Sequence, residues 1–381
     1  MITRQRITTY GIPTAAAATI VAAALLTPWS GGNDPKPDAL VQPTPVVSEK
    51  NQIDVVFAVD TTGSMGGLLE GAKRTVWSIA THIRKTDPNA NLRIGLVAYR
   101  DVGDDYVTRP FSLTNDLDAA FTELSTYQAS GGGDTPENVD AALDDSLHKM
   151  QWRRGAKKLV FLVGDAPPAS RGEVPTFDVL AREAARSGII INTIRCGTDH
   201  QTASTFQQIA SLSRGEFSSI QQDGGVQQIA TPYDDKLAEV SKRIDSTTII
   251  VGDEGARRRY MGKMAAAEAA PAAAKADRAA YYATDRGPSG AGRADDDLVG
   301  GVATGAMSLD SIDEEKLPAD LRGKGKAELK AEVDKRTAER TVAKKELAEL
   351  AKQRAEYLEK NAKGGEGFDA KVKTSLEKQL K

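Results

Sequence analysis

Three short stretches carry oxygen side chains at spacings that could hold a hard cation. Asp60, Thr62 and Ser64 alternate in VDTTGSM, Thr135 lies in GGGDTPE, and Asp165 ends KKLVFLVGD. An ion such as Mg²⁺ or Mn²⁺ takes oxygen ligands and keeps some of its water. The carboxylates of Asp60 and Asp165 would neutralise most of its charge. The hydroxyls of Thr62, Ser64 and Thr135 would leave it electrophilic, with a position open for an incoming carboxylate. Glycines at 131–133 would let the Thr135 loop approach closely. Each stretch also has a plainer reading. Ser64 could cap a helix, Asp134 or Thr135 before Pro136 and Glu137 is an ordinary helix start, and Asp165 could be a turn residue.

Such residues converge only if the strands preceding them run the same way. The apolar run 53–59 suits a parallel strand covered on both faces, and ligands bind beyond the carboxyl ends of such strands. Further strands are predicted at 91–99, 106–113 (an edge), 159–164, 189–195 and 215–218. Helices are predicted at 68–85, 116–127 (capped by Asp116), 136–149, 177–187, 202–211 and 226–245. This alternation predicts an α/β domain over 52–245, a Rossmann-like open, mostly parallel sheet with helices on both faces.

With three motifs in order, the chain resembles the von Willebrand factor type A (vWA) domain. DTTGS is similar to that family's D-x-[ST]-x-S signature, and the GGDTPE threonine and the LVFLVGD aspartate continue the resemblance. Thr62 stands where Ser is commoner, which keeps the hydroxyl. The resemblance implies a metal-ion-dependent adhesion site built from Asp60, Thr62, Ser64, Thr135 and Asp165. It also implies a protein partner whose acidic side chain completes the coordination, Thr135 joining as that ligand arrives, and no catalytic activity.

Two enzyme readings compete. VFAVDTTGS is similar to the D-x-[DT]-G-[ST] motif of haloacid dehalogenase-like phosphotransferases, which would make Asp60 a nucleophile. Ala169, however, stands where that scheme usually carries a second acid. Ser64, Asp165 and His200 occur in the chain order of a hydrolase triad, but Thr62 spoils the G-x-S-x-G elbow.

The chain has 381 residues, a net charge of −3 and 5% aromatics, so nothing points to a nucleic-acid partner. The lone Cys196 excludes an intramolecular disulfide. Residues 1–32 pair Arg4 and Arg6 with an alanine-rich apolar run, the layout of a secretory signal or an uncleaved membrane anchor. Either would place the rest outside the cytoplasm, in the periplasm or at the cell surface. Residues 33–51 read as a proline-rich tether, and 253–311, rich in Ala and Gly, as a disordered linker. The charged tail 312–381 predicts a long helix at 326–360 and a short one through Phe368, Val372 and Leu376, together a helical hairpin. Arg336, Arg340 and Arg354 fall on the 3.5-residue seam of the long helix, which argues against an extended coiled coil.

Overall fold

The computed structural model describes residues 51–133, 135–226, 229–284, 296–361 and 366–380. The signal or anchor at 1–32, and the tether except Asn51, lie outside the described residues.

Six strands form one sheet in the order β3-β2-β1-β4-β5-β6. They are β1 (Gln52–Asp60), β2 (Asn91–Tyr99), β3 (Thr108–Thr114), β4 (Lys157–Gly164), β5 (Ile189–Cys196) and β6 (Phe217–Ile220). All neighbours pair in parallel except β3, the antiparallel edge strand, whose register against β2 shifts between Ile94 and Leu96. This is the mostly parallel α/β sheet expected. β1 lies at its centre, and its side chains alternate between two cores. Val55, Phe57 and Val59 enter a cluster with α1 (Gly66–Thr86) and α2 (Leu117–Ser125). Val56 and Ala58 face α3 (Val139–His148), α4 (Phe177–Arg186) and α5 (His200–Leu212). Burial on both faces explains the unbroken apolar run of this strand.

Asp116 caps α2 by accepting from the Ala119 N–H at 2.9 Å, as its position suggested. Pro136 does not open α3. The Thr135–Pro136 bond is cis, and Asn138 caps the helix by accepting from Ala141 N–H. The last helix of the expected domain, α6 (Asp234–Ser246), starts after Pro232 instead of at 226. The turn before it is fixed locally, Asp234 accepting from the Thr231 N–H and hydroxyl, while the helix has no side-chain cap.

The stretch read as a linker is instead largely helical, with α7 (Glu254–Ala269), α8 (Ala272–Ala283) and α9 (Leu298–Thr304); residues 285–295 of it lie outside the described residues. Alanine is the strongest helix former, and its small side chain lets helices approach closely. Ala274, Ala276 and Ala279 are buried, Ala276 and Ala279 in a cluster with α6 and α10. Tyr281 and Tyr282 pack on Trp77 of α1 with ring centroids 5.6 and 5.9 Å away. Arg278 is buried between Asp118 of α2 and Asp245 of α6. In the basic run at 257–260, Arg257 donates to the backbone carbonyls of Gly252 and Lys316.

Both expected C-terminal helices form, α10 (Lys326–Asn361) and α11 (Phe368–Gln379). α10 lies against α6, α8 and α9, while α11 lies against α1 and β5. The arginines that disfavoured a coiled coil anchor α10 to the body. Arg340 pairs with Asp297 just before α9, and Arg354 bridges Asp234 and Asp277, each at 2.7 Å. Phe368 places its ring 6.2 Å from Phe57, so α11 completes one covered face of the sheet. Among the described residues, no helix is long and apolar enough to cross a membrane.

Candidate metal centre

Asp60 is the last residue of β1 and is fully buried. Its Oδ1 accepts from the Thr62 N–H at 2.8 Å and the Thr62 hydroxyl at 2.6 Å, closing the tight turn. Its Oδ2 is shut off from solvent and has no hydrogen-bond partner among the described residues. Burial pushes the Asp60 carboxyl up to about 7. The two Thr62 bonds oppose that rise and the negative charge of Asp165 adds to it. The Asp165 backbone N–H also opposes it without being placed to hydrogen-bond Oδ2. Gly164 makes the tight packing around Asp60 feasible. A Cβ there would stand 2.3 Å from the Tyr99 hydroxyl and 3.3 Å from Asp60 Oδ2.

Thr62 is buried and its hydroxyl lies 3.4 Å from that of Ser64, which is exposed. Neither α1 nor the single 3-10 turn before it, Gly63–Met65, has a side-chain cap. The plain reading of Ser64 as a helix cap therefore fails, and its hydroxyl has only the long contact with Thr62. Thr135 does not cap α3, since Asn138 does so, and its hydroxyl makes no hydrogen bond among the described residues. Asp165, half-buried just past β4, accepts at Oδ2 from the Gln222 side-chain amide at 2.6 Å.

The three loops meet at one sheet edge. Gly63 N–H donates to the Gly131 carbonyl at 3.2 Å, and Ser130 N–H to that of Thr61 at 3.1 Å. Gly131 and Gly132 have φ of 76° and 79°, and a Cβ at Gly132 would stand 3.0 Å from Thr62 Cβ. These are the conformations and the close approach that glycine permits. Beyond Thr135, Glu137 N–H donates to the Pro167 carbonyl and Ala169 N–H to that of Glu137, which ties this loop to the one after Asp165. Thr135 thus lies between a segment packed on Thr62 and a segment bonded to the Asp165 loop.

Four supporting residues escaped the sequence reading. Gln222 also donates to the Ser64 carbonyl at 3.2 Å, so one amide links two of the loops. Asp104 accepts from Gly132 N–H, and Arg100 donates to the carbonyls of Thr61 and Gln128. Glu137 is buried beside the Thr135 loop. Only Gln222 had a local hint: it precedes Asp223-Gly224-Gly225, a turn signal after β6.

Residues 54–232 match the family model of the von Willebrand factor type A domain. The vWA match spans the sheet and every segment that meets at this edge. An ariadne-like RING finger protein of Acanthamoeba polyphaga mimivirus is 30% identical over 131 residues, 34% of this chain and 12% of that protein. The alpha-protein kinase vwkA of Dictyostelium discoideum is 28% identical over 118 residues, 30% of this chain and 18% of that one. The chain thus spans less than a fifth of the length of either relative. Among solved structures, BatB from Bacteroides thetaiotaomicron is 16% identical, covering 44% of this chain and 90% of that one, with a TM-score of 0.35. Proximal thread matrix protein 1 from the mussel byssus, solved with a zinc-occupied MIDAS motif, is 16% identical, covering 46% and 43%, with a TM-score of 0.37.

The vWA match lends no support to a phosphotransferase using Asp60. A fully buried carboxylate with one oxygen held twice by Thr62 is badly placed to attack a substrate. The triad reading fares no better. His200 is exposed at the start of α5, and among the described residues it makes no hydrogen bond to Asp165. No group of three or more His, Cys, Asp or Glu among the described residues could hold a metal ion by itself. A metal at this edge would need the hydroxyls as well as Asp60 and Asp165.

Proposed function

We propose that Asp60, Thr62, Ser64, Thr135 and Asp165 hold a divalent cation, Mg²⁺ or Mn²⁺, through which this vWA domain binds a protein partner. The observation that carries this reading is the orphaned, buried Asp60 Oδ2 beside the adjacent hydroxyls of Thr62 and Ser64. An isolated buried carboxylate oxygen is costly, and a cation is one group that would satisfy it. The donor set is all oxygen, which suits a hard ion over a soft one. When bound, the ion would supply an electrophilic position for a partner carboxylate. The protein's own part is to present the ligands. Thr62 orients Asp60, Gln222 orients Asp165, and the exposed Thr135 hydroxyl lies on the glycine-rich loop nearest an incoming ligand.

The role is binding, without turnover. The activities in the names of the kinase and RING finger relatives belong to proteins matched over less than a fifth of their length. Residues 1–32 support export, with the domain in the periplasm or at the cell surface. The test is retention of envelope proteins on the immobilised full chain. The reading expects retention in Mg²⁺, loss in EDTA, and at least about tenfold weaker retention by Thr135→Ala. A partner retained equally in EDTA, or equally by Thr135→Ala, would overturn it.

A further inference from the structure

A cleft of about 1100 Å³ flanks the candidate centre, between α1, the end of β5 and the segment after β6. Its floor depends on two glycines one helical turn apart. A Cβ at Gly67 would stand 2.9 Å from Asp223 Cα, and one at Gly71 would stand 3.0 Å from a Val226 methyl. The chain after β6 therefore lies directly on the α1 backbone. At its start, Gln222 lines the cleft and donates to both Asp165 and the Ser64 carbonyl. The cleft and the candidate centre thus share a wall.

Arg74 of α1 and Arg195 of β5 line this cleft without an anionic partner. Arg74 makes no hydrogen bond or ion pair among the described residues, and its Nε is sealed from solvent. Arg195 donates one Nη to the Asp199 carbonyl at 3.0 Å, but its Nε is likewise buried and unmatched. Three carboxylates, Glu70, Asp223 and Glu366, line the same cleft, but among the described residues none of them pairs with either arginine. Glu70 pairs with Lys73 at 3.0 Å, and Asp223 accepts from the Gly225 N–H. The contrast within the chain is sharp, since the buried Arg278, Arg340 and Arg354 each meet an aspartate. Guanidinium N–H groups withdrawn from water without an acceptor cost free energy. Their planar forks match carboxylate and phosphate oxygens.

We propose that this cleft is an oxyanion subsite in which Arg74 and Arg195 hold a second acidic group of the partner, a carboxylate or a phosphate. The inference rests on the metal-dependent reading for the partner's first contact. The subsite's own affinity for an anion does not.

The test therefore uses the full-length chain in EDTA. Glutarate and inorganic phosphate are titrated separately while the arginine Nε–H resonances of isotope-labelled protein are followed. Two resonances should shift, each vanishing in one of Arg74→Gln and Arg195→Gln, and apparent affinity should fall at least about tenfold in either variant. Arg74→Lys and Arg195→Lys, which keep the charge but lose the fork, should also bind more weakly while circular dichroism stays native. A response to glutarate alone assigns a carboxylate source, and a response to phosphate alone assigns a phosphorylated one. Anion shifts in a protein that gives no Mg²⁺ heat would remove the metal reading and leave the subsite standing. Resonances unmoved by both anions, or Gln and Lys variants that bind like wild type, would overturn the proposal.

Discussion

Gln222 holds Asp165. Its side-chain Nε2 donates to the Asp165 Oδ2 at 2.6 Å, and the same nitrogen reaches the Ser64 carbonyl at 3.2 Å. One amide from the segment after β6 thus fixes the carboxylate that ends β4 against the turn that follows β1. Outer-shell partners of this kind typically contribute 10- to 100-fold to metal affinity. Gln222→Ala is expected to weaken Mg²⁺ binding by at least about tenfold. Gln222→Met, which keeps the length and loses the donor, should weaken it by a similar factor, both variants being read by calorimetric titration. Equal affinities in both variants and wild type would remove Gln222 from the site.

The C-terminal helix belongs to the core. Phe368 is 2% exposed, and its ring meets Phe57 of the central strand. Phe368→Ala is expected to cost about 3–5 kcal/mol in chemical denaturation, the range for a large aromatic removed from a packed core. A chain ending at residue 311 should expose the α1 and β5 surfaces that α11 covers and should aggregate. A soluble, cooperatively folding truncation would contradict this.

Arg278 is enclosed by Asp118 and Asp245, with Nε 2.6 Å from one Asp118 oxygen. Removing one partner of a buried pair strands the other, at about 3–5 kcal/mol. Arg278→Ala should show a loss of that order. Arg278→Leu should also be destabilising while Asp118 remains, and should recover in part when combined with Asp118→Leu, since Asp245 also loses Arg278. A double-mutant cycle with no coupling energy would refute this pairing.

Asp140, in the first turn of α3, is 2% exposed, and its Oδ1 has no hydrogen-bond partner among the described residues. Burial pushes its carboxyl up to about 6, with nearby Asp178 adding to the rise and the Phe177 backbone N–H opposing it. A carboxyl raised in the folded state favours folding below its unfolded pKa, and that advantage is lost as pH rises through its folded pKa. Asp140→Asn should therefore stabilise the protein by about 1–3 kcal/mol near pH 8. Near pH 4 it should change little. A stability difference independent of pH would show that Asp140 titrates normally.

Most of the sheet was legible because both-face burial writes long apolar runs, and strand ends fall where Asp60 and Asp165 punctuate them. The glycines at 131 and 132 were legible for the same local reason: a loop that touches Thr62 needs their conformation. The alanine-rich stretch was misread because alanine serves both low-complexity linkers and tight helix packing. What decides between them is distant: Trp77 under Tyr281 and Tyr282, and Asp118 beside Arg278. The seam arginines of α10 argued against an extended coiled coil, yet their partners Asp234, Asp277 and Asp297 lie 43 to 120 residues away along the chain. Gln222 stayed hidden because the Asp223-Gly224-Gly225 turn signal beside it marks a loop without saying which side chain reaches Asp165.

The central claim is that Asp60 and its neighbours hold a divalent cation, and isothermal calorimetry of the full chain against Asp60→Asn tests it most directly. Asparagine keeps an acceptor for the two Thr62 bonds and removes the charge. Wild type should bind Mg²⁺ or Mn²⁺ in a single-site titration, and Asp60→Asn should give no binding heat while unfolding at the same or a higher temperature in EDTA. Equal affinity for the ion in the two proteins, or no binding by either, would contradict it.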